Sequence, residues 1–143
     1  MLIKTKHTFI GSQVYKILAK NSFGVFSQNF SFESKVLSIS LDDKVTSGYA
    51  HTAILNRALK SSVIKPIYSK IRAKNRVIYS GKSLDFRLKN SRDFRSCLEG
   101  ENDLILVDDI ITTGSTILEA KKVLENANQT PIFALCLADA REI

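Results

Sequence analysis

No stretch of this chain constrains its fold as tightly as residues 104 to 137. It opens with Leu104-Ile105-Leu106-Val107, a continuous apolar run of strand length and the pattern of a strand covered on both faces in a parallel sheet. Two acids, Asp108 and Asp109, end that run. From Ser115 the apolar spacing changes: Ile117, Ala120, Val123, Leu124 and Ala127 mark one side of a helix of about three to four turns. Pro131 to Leu137 is apolar again and reads as a second buried strand. Strand, helix and strand in that order form a parallel crossover unit, which turns right-handed in nearly all proteins. The chain is therefore expected to be α/β, with a central, mostly parallel sheet flanked by helices. At 143 residues it has room for one such core, and residues 1 to 143 are read as a single domain.

Upstream the signals are weaker. Residues 1 to 35 form an N-terminal helical segment: Val14, Ile17 and Leu18 recur at helical spacing between Gly11 and Asn21, with Ser12 as the N-cap. Val36 to Leu41 alternates apolar and small polar residues over a strand length, and the loop Asp42-Asp43-Lys44 stops it. After Ser47-Gly48, a helix beginning near Tyr49 puts Ala50, Ile54, Leu55, Ala58 and Leu59 on one face and ends around Ser61-Ser62. A short strand is expected from Lys65 to Ser69. Residues 70 to 95 are polar, basic and irregular, with Val77-Ile78-Tyr79 as one candidate strand and Ser80-Gly81 as a turn; this region of the core, which spans residues 36 to 143, is expected to be flexible.

The net charge of +7 is unevenly spread. Residues 57 to 95 carry twelve Lys or Arg against Asp85 and Asp93, whereas residues 96 to 143 carry three basic and nine acidic side chains. A basic middle beside an acidic end suits a surface that meets phosphates, and a solvated charged face reads equally well. Cys97 and Cys136 cannot build a disulfide framework or a four-ligand zinc site between them, so both read as structural thiols and no zinc is expected. No apolar run approaches the roughly 18 residues of a membrane-spanning helix. The mixed, polar start Met1 to His7 lacks the pattern of a secretory signal, so the expected location is cytoplasmic, without membrane insertion.

The chemistry concentrates where the first strand of the 104 to 137 unit hands over to its helix. In open α/β sheets, ligands bind at the carboxyl ends of strands. Thr112 to Thr116 supplies three threonine hydroxyls, a serine hydroxyl, a glycine that lets backbone approach a ligand, and the unpaired N–H groups of a helix start. Together these make a phosphate cup. Asp108 and Asp109 would repel a phosphate, and instead suit the hydroxyls of an attached sugar or a Mg²⁺ that bridges substrate oxygens. A ribose 5-phosphate is the natural ligand for such a set.

The run from Leu104 to Thr116 resembles the thirteen-residue phosphoribosyl pyrophosphate (PRPP) signature of type I phosphoribosyltransferases: four apolar residues, two acids, two apolar residues, then Thr-Thr-Gly-Ser-Thr. The resemblance implies a type I phosphoribosyltransferase-like fold. It also implies that Asp108 and Asp109 hold the ribose hydroxyls, with Mg²⁺ accompanying PRPP near them, and that Ile111, Thr112, Thr113, Gly114, Ser115 and Thr116 surround the 5′-phosphate. More widely, the chain is similar to the ComF family of competence-associated, phosphoribosyltransferase-like proteins. Lys6 and Gly11, Ser47-Gly48-Tyr49, Arg72, and Arg87, Asn90 and Phe94 ahead of the signature carry that likeness. It departs from the family in two motifs. Ser47-Gly48-Tyr49-Ala50-His51 stands where family members usually have Arg-Gly-Phe-Asn-Gln, and Arg72-Ala73-Lys74 keeps the charge of an Arg-x-Thr pattern while losing its hydroxyl. The four-cysteine zinc ribbon that begins full-length relatives is also absent from this sequence.

By this resemblance, the expected catalytic set is Asp108, Asp109 and Arg72, with Lys44 and Arg72 as further PRPP contacts toward the diphosphate. Displacement at C1 of the ribose would release diphosphate as a nitrogen nucleophile arrives. A ComF-type, PRPP-binding role in natural transformation is the leading reading, with Lys74, Arg76, Lys82, Arg87, Arg92 and Arg95 as candidate contacts to single-stranded DNA, and Tyr79, Phe86 and Phe94 interleaved as stacking or core rings. The alternatives are a nucleobase or amine phosphoribosyltransferase of nucleotide metabolism, and a PRPP-sensing regulator without turnover. A homodimer or a competence-machinery partner is compatible with each. His51, inside an expected helix, reads as a helix-face residue rather than a base.

Overall fold

Strand pairing begins where the sequence is most continuously apolar. In the computed structural model, which describes residues 8–41, 45, 48–75, 83–89 and 91–141, β1 (Val36–Ser40) lies parallel between β2 (Ile64–Ile67) and β5 (Asp103–Ile111), and β6 (Thr130–Asp139) pairs parallel with the other side of β5. The sheet order is thus β2-β1-β5-β6, a parallel sheet flanked by helices as expected. Readings that rested on Lys6, His7, Asp42 to Lys44, Ser47, Arg76 to Lys82 and Asn90 lie outside the described residues.

Because side chains alternate along a strand, β5 serves two cores. Ile105 and Val107 face α1 (Phe9–Ala19) and α3 (His51–Ala58), packing with Tyr15, Ala19, Phe23, Leu55 and Leu59. Leu104 and Leu106 face the opposite way, against Ala120 and Leu124 of α5 (Ser115–Asn126) and against Ile71 and Phe94. All four residues from Leu104 to Val107 are at most 2% exposed, which identifies a strand covered on both faces. Each such side chain contributes about 1.5–3 kcal/mol through removal from water.

Several local expectations change. The N-terminal helix starts at Phe9, and its cap is Thr8, whose Oγ1 accepts from the Gly11 N–H at 3.1 Å. Ser12 is buried one turn further on and donates its hydroxyl to the Phe9 carbonyl at 2.7 Å, so it is no N-cap. The helix also continues past Asn21 through a π-helical turn, Lys20–Gly24, into α2 (Val25–Asn29). Burial of Phe23 and packing of Phe26 and Phe30 on Phe133 of β6, with ring centroids 5.9 and 5.8 Å away, reward that continuation.

The strand expected from Lys65 to Ser69 runs from Ile64 to Ile67; Tyr68 is exposed, and Ser69 turns left-handed with φ of 55°. Pro66 is accommodated because β2 is an edge strand. Asn56 on α3 is fully buried and donates its side-chain amide to the carbonyls of Ser38 (3.2 Å) and Ile67 (2.9 Å). The 70 to 95 region holds regular structure rather than irregular loop alone. β3 (Ile71–Ala73) pairs antiparallel with β4 (Phe94–Ser96), and α4 (Leu84–Lys89) lies between them in sequence. Ile71 and Phe94 anchor the ribbon in the core beside α5. β6, expected to be buried, is an edge strand whose residues Phe133 to Leu137 are only half-buried. No helix among the described residues is long and apolar enough to cross a membrane.

Candidate functional site

β5 does not stop at its two acids. It continues through Asp108 and Asp109 to Ile111, because the β6 ladder pairs Asp108 with Cys136 and Ile111 with Asp139. The chain then turns into α5 through Gly114, at φ 76° and ψ −1°, a left-handed conformation that glycine adopts without the penalty of a side chain. Gly114 is also the N-cap of α5 and brings no side chain to the first N–H groups of that helix. Thr113 Oγ1 and Ser115 Oγ lie 2.7 Å apart across the turn. The result is a shallow, solvent-open depression lined by Asp108 and every residue from Ile110 to Ile117. All five residues of the Thr112–Thr116 cup are therefore brought together, along with Ile111 and Asp108.

Asp109 is elsewhere. One residue along the strand from Asp108, it points to the α1 and α3 side, where it is 8% exposed and does not line the cavity. Its Oδ2 lies 3.1 Å from His51 Nε2, and its Oδ1 accepts from the Ile110 N–H at 2.9 Å. The Tyr15 side chain hydrogen-bonds the same carboxylate, and burial first, then the Asp109 charge, pushes the Tyr15 hydroxyl pKa well up. Tyr15 and His51 also meet edge to face, with ring centroids 5.6 Å apart.

Asp108 has a different environment. Its Oδ1 accepts from the Asp109 N–H at 2.9 Å. Burial, and then repulsion from Asp109, raises its carboxyl pKa to about 7, while the Arg92 guanidinium opposes that rise. Arg92 owes its place to α5: Glu119 accepts from the Asp93 N–H at 2.7 Å and from the Ser91 hydroxyl, pinning both neighbours of Arg92 to that helix. Cys136, across the ladder from Asp108, is held protonated, its pKa pushed to about 11 by burial and then by Asp108 and Asp109. Cys97 is exposed rather than packed.

The basic candidates divide. Arg72 and Arg95 are exposed and directly opposite each other on β3 and β4, and neither lines the cavity. Lys74 lies 3.5 Å from the Asp93 carboxylate, and Arg92 is half-buried with its charge acting on Asp108. Phe94 is 3% exposed and belongs to the core, so it offers no stacking surface, whereas Phe86 on α4 is exposed. Arg87 lies in α4, with its side chain outside the described residues, as are Lys44, Arg76 and Lys82 entirely.

His51 lies on a face of α3, as expected, and engages Asp109 there. A signal was available: His51 precedes Leu55 and Leu59 by one and two helical turns, on the face that is buried. Tyr15 likewise shares its face with Ala19.

No family model and no curated protein matches the chain. Among solved structures it is similar to a hypoxanthine phosphoribosyltransferase from Staphylococcus aureus in an orthorhombic crystal form, at 9% identity and a TM-score of 0.49, over 92% of this chain and 68% of that one. A tetragonal crystal form of a hypoxanthine phosphoribosyltransferase from the same organism gives 9% identity and a TM-score of 0.48, over 92% of this chain and 74% of that one.

Proposed function

We propose that this chain binds PRPP through the turn between β5 and α5 and works as a phosphoribosyltransferase-like protein of the ComF type, in DNA uptake during natural transformation. The observation that carries the PRPP reading is the Thr112–Thr116 turn: its hydroxyls, left-handed Gly114 and the start of α5 converge on one cavity with Asp108 in its wall. Such a set suits a phosphate joined to a sugar. N–H and hydroxyl donors take the phosphate, and the carboxylate accepts from ribose hydroxyls.

Displacement at C1 of the ribose asks the protein mainly for positioning and for stabilisation of developing charge. The cup fixes the 5′-phosphate end, which aligns C1 relative to Asp108. Mg²⁺ fits this wall, because that ion is usually held through one or two carboxylates together with substrate oxygens, and Asp108 supplies one. Bound there, the ion would neutralise charge on the departing diphosphate. Arg72 is the side chain this reading gives to the diphosphate. The exposed Arg95, opposite Arg72 on the ribbon, supplies positive charge for contact with single-stranded DNA.

Phosphorus NMR of PRPP with Mg²⁺ and the protein tests the reading. Broadened, shifted PRPP signals are expected, with Asp108→Asn weakening binding about ten-fold, the equivalent of ~1.4 kcal/mol. Unaltered signals overturn it. Free diphosphate released only on addition of a nucleobase would move the function to nucleotide metabolism. Affinity for a single-stranded oligonucleotide should fall with rising salt, and a salt-independent affinity would remove the DNA part.

A further inference from the structure

We infer that His51 and Tyr15 are positioning residues for the PRPP turn, acting through Asp109 on the opposite face of the sheet; this rests on the PRPP reading of the cup. Three separate elements supply the parts: Tyr15 from α1, His51 from α3 and Asp109 from β5. A carboxylate that is 8% exposed persists only when its oxygens are bonded, and Asp109 has a partner for each. A carboxylate accepts only, so the His51 Nε2 facing Oδ2 at 3.1 Å is the donor.

The contacts then run into the cup. Asp109 Oδ1 takes the N–H of Ile110, and the N–H of Asp109 is donated to Asp108 Oδ1, both at 2.9 Å. Ile110 and Asp108 are cavity-lining residues. His51 and Tyr15 thus fix the side chain of Asp109, and that side chain fixes the backbone N–H of Ile110 in the cavity wall, beside the main-chain N–H of Asp109 that holds the Asp108 carboxylate. The acidic pair of the signature divides its work: Asp108 meets the ligand, while Asp109 holds the strand end in the shape the ligand needs.

The test uses His51→Ala, His51→Gln and Tyr15→Phe in the full chain, with two readouts. In amide NMR spectra of the ligand-free proteins, His51→Ala should shift the signals of Ile110 to Thr116, and His51→Gln, which keeps a donor, should return them toward wild type. In PRPP titrations with Mg²⁺, His51→Ala should bind roughly ten-fold more weakly, with His51→Gln recovering most of that loss. Tyr15→Phe should show a smaller effect in the same direction. Unmoved cup amides in His51→Ala overturn the inference, as does equal damage from the Ala and Gln variants, which would mark a merely structural residue. If wild type itself fails to bind PRPP, the functional reading falls, and the amide readout alone decides whether the contacts reach the cup.

Discussion

Asp108 and Asp109 are neighbours in sequence and face opposite sides of the sheet. On the α5 side, Asp108 opens onto the cavity with Arg92 nearby as its counter-charge. On the side of α1 and α3, Asp109 is enclosed by Tyr15, His51 and the Ile110 N–H. The strand's period of two is the whole cause of the difference. Here that period gives one acid to the cavity wall and the other to the layer beneath.

The sharpest way to break this comparison is to truncate each acid in turn. Asp109→Ala leaves the donors of Tyr15, His51 and Ile110 without their acceptor in a buried setting, and should cost about 3 kcal/mol in urea denaturation. Asp108→Ala should cost under about 1 kcal/mol, because its main bonded partner is a single backbone N–H. Equal losses from the two variants would erase the distinction.

A second effect is expected from pH. The carboxyl of Asp108 ionises at about 7 in the folded chain against 3.8 for an unperturbed aspartate, so the folded state binds more protons between those values. Stability of the ligand-free protein should therefore rise as pH falls from about 7 toward about 4, the reverse of an acid held in a salt bridge. Asp108→Asn should flatten the urea midpoint across that window, and a profile that is the same with and without the substitution would contradict the environment assigned to Asp108.

A modest effect is expected from Gly114→Ala. An added Cβ would meet only Ile111 Cδ1 at 3.8 Å, an ordinary contact, so the cost is that of a left-handed alanine, about 1 kcal/mol in thermal or urea unfolding. A loss several times larger would mean that the turn is more tightly packed against the Asp108 side than its geometry indicates.

What the sequence disclosed follows from which interactions are local. Leu104 to Val107 and the Ile117, Ala120, Leu124 stripe announce their burial through periodicity, and the Thr112–Thr116 cup is contiguous, so each was legible. Ser12 was mistaken for a cap because Thr8 and Ser12 are both hydroxyl residues one turn apart, and only the hydrogen bonds tell them apart. β3 and β4 are three residues each, too short to show a period, and they form because Ile71 and Phe94 reach the same core from distant points in the chain. The apolar run of β6 resembles that of β5, yet one is an edge and the other central, a distinction that depends on pairing rather than on composition. The partners of Asp109 come from residues far apart in sequence, so their meeting depends on the tertiary fold.

Asn56 has a mechanical consequence. By holding the Ser38 and Ile67 carbonyls with one amide, it acts as a rivet from α3 to the middle of β1 and the carboxyl end of β2. Adjacent strands are rotated against one another by the twist of the sheet, and a rivet across the pair fixes that rotation. One helix side chain thereby ties the edge strand, its neighbour and the layer above them into a single unit.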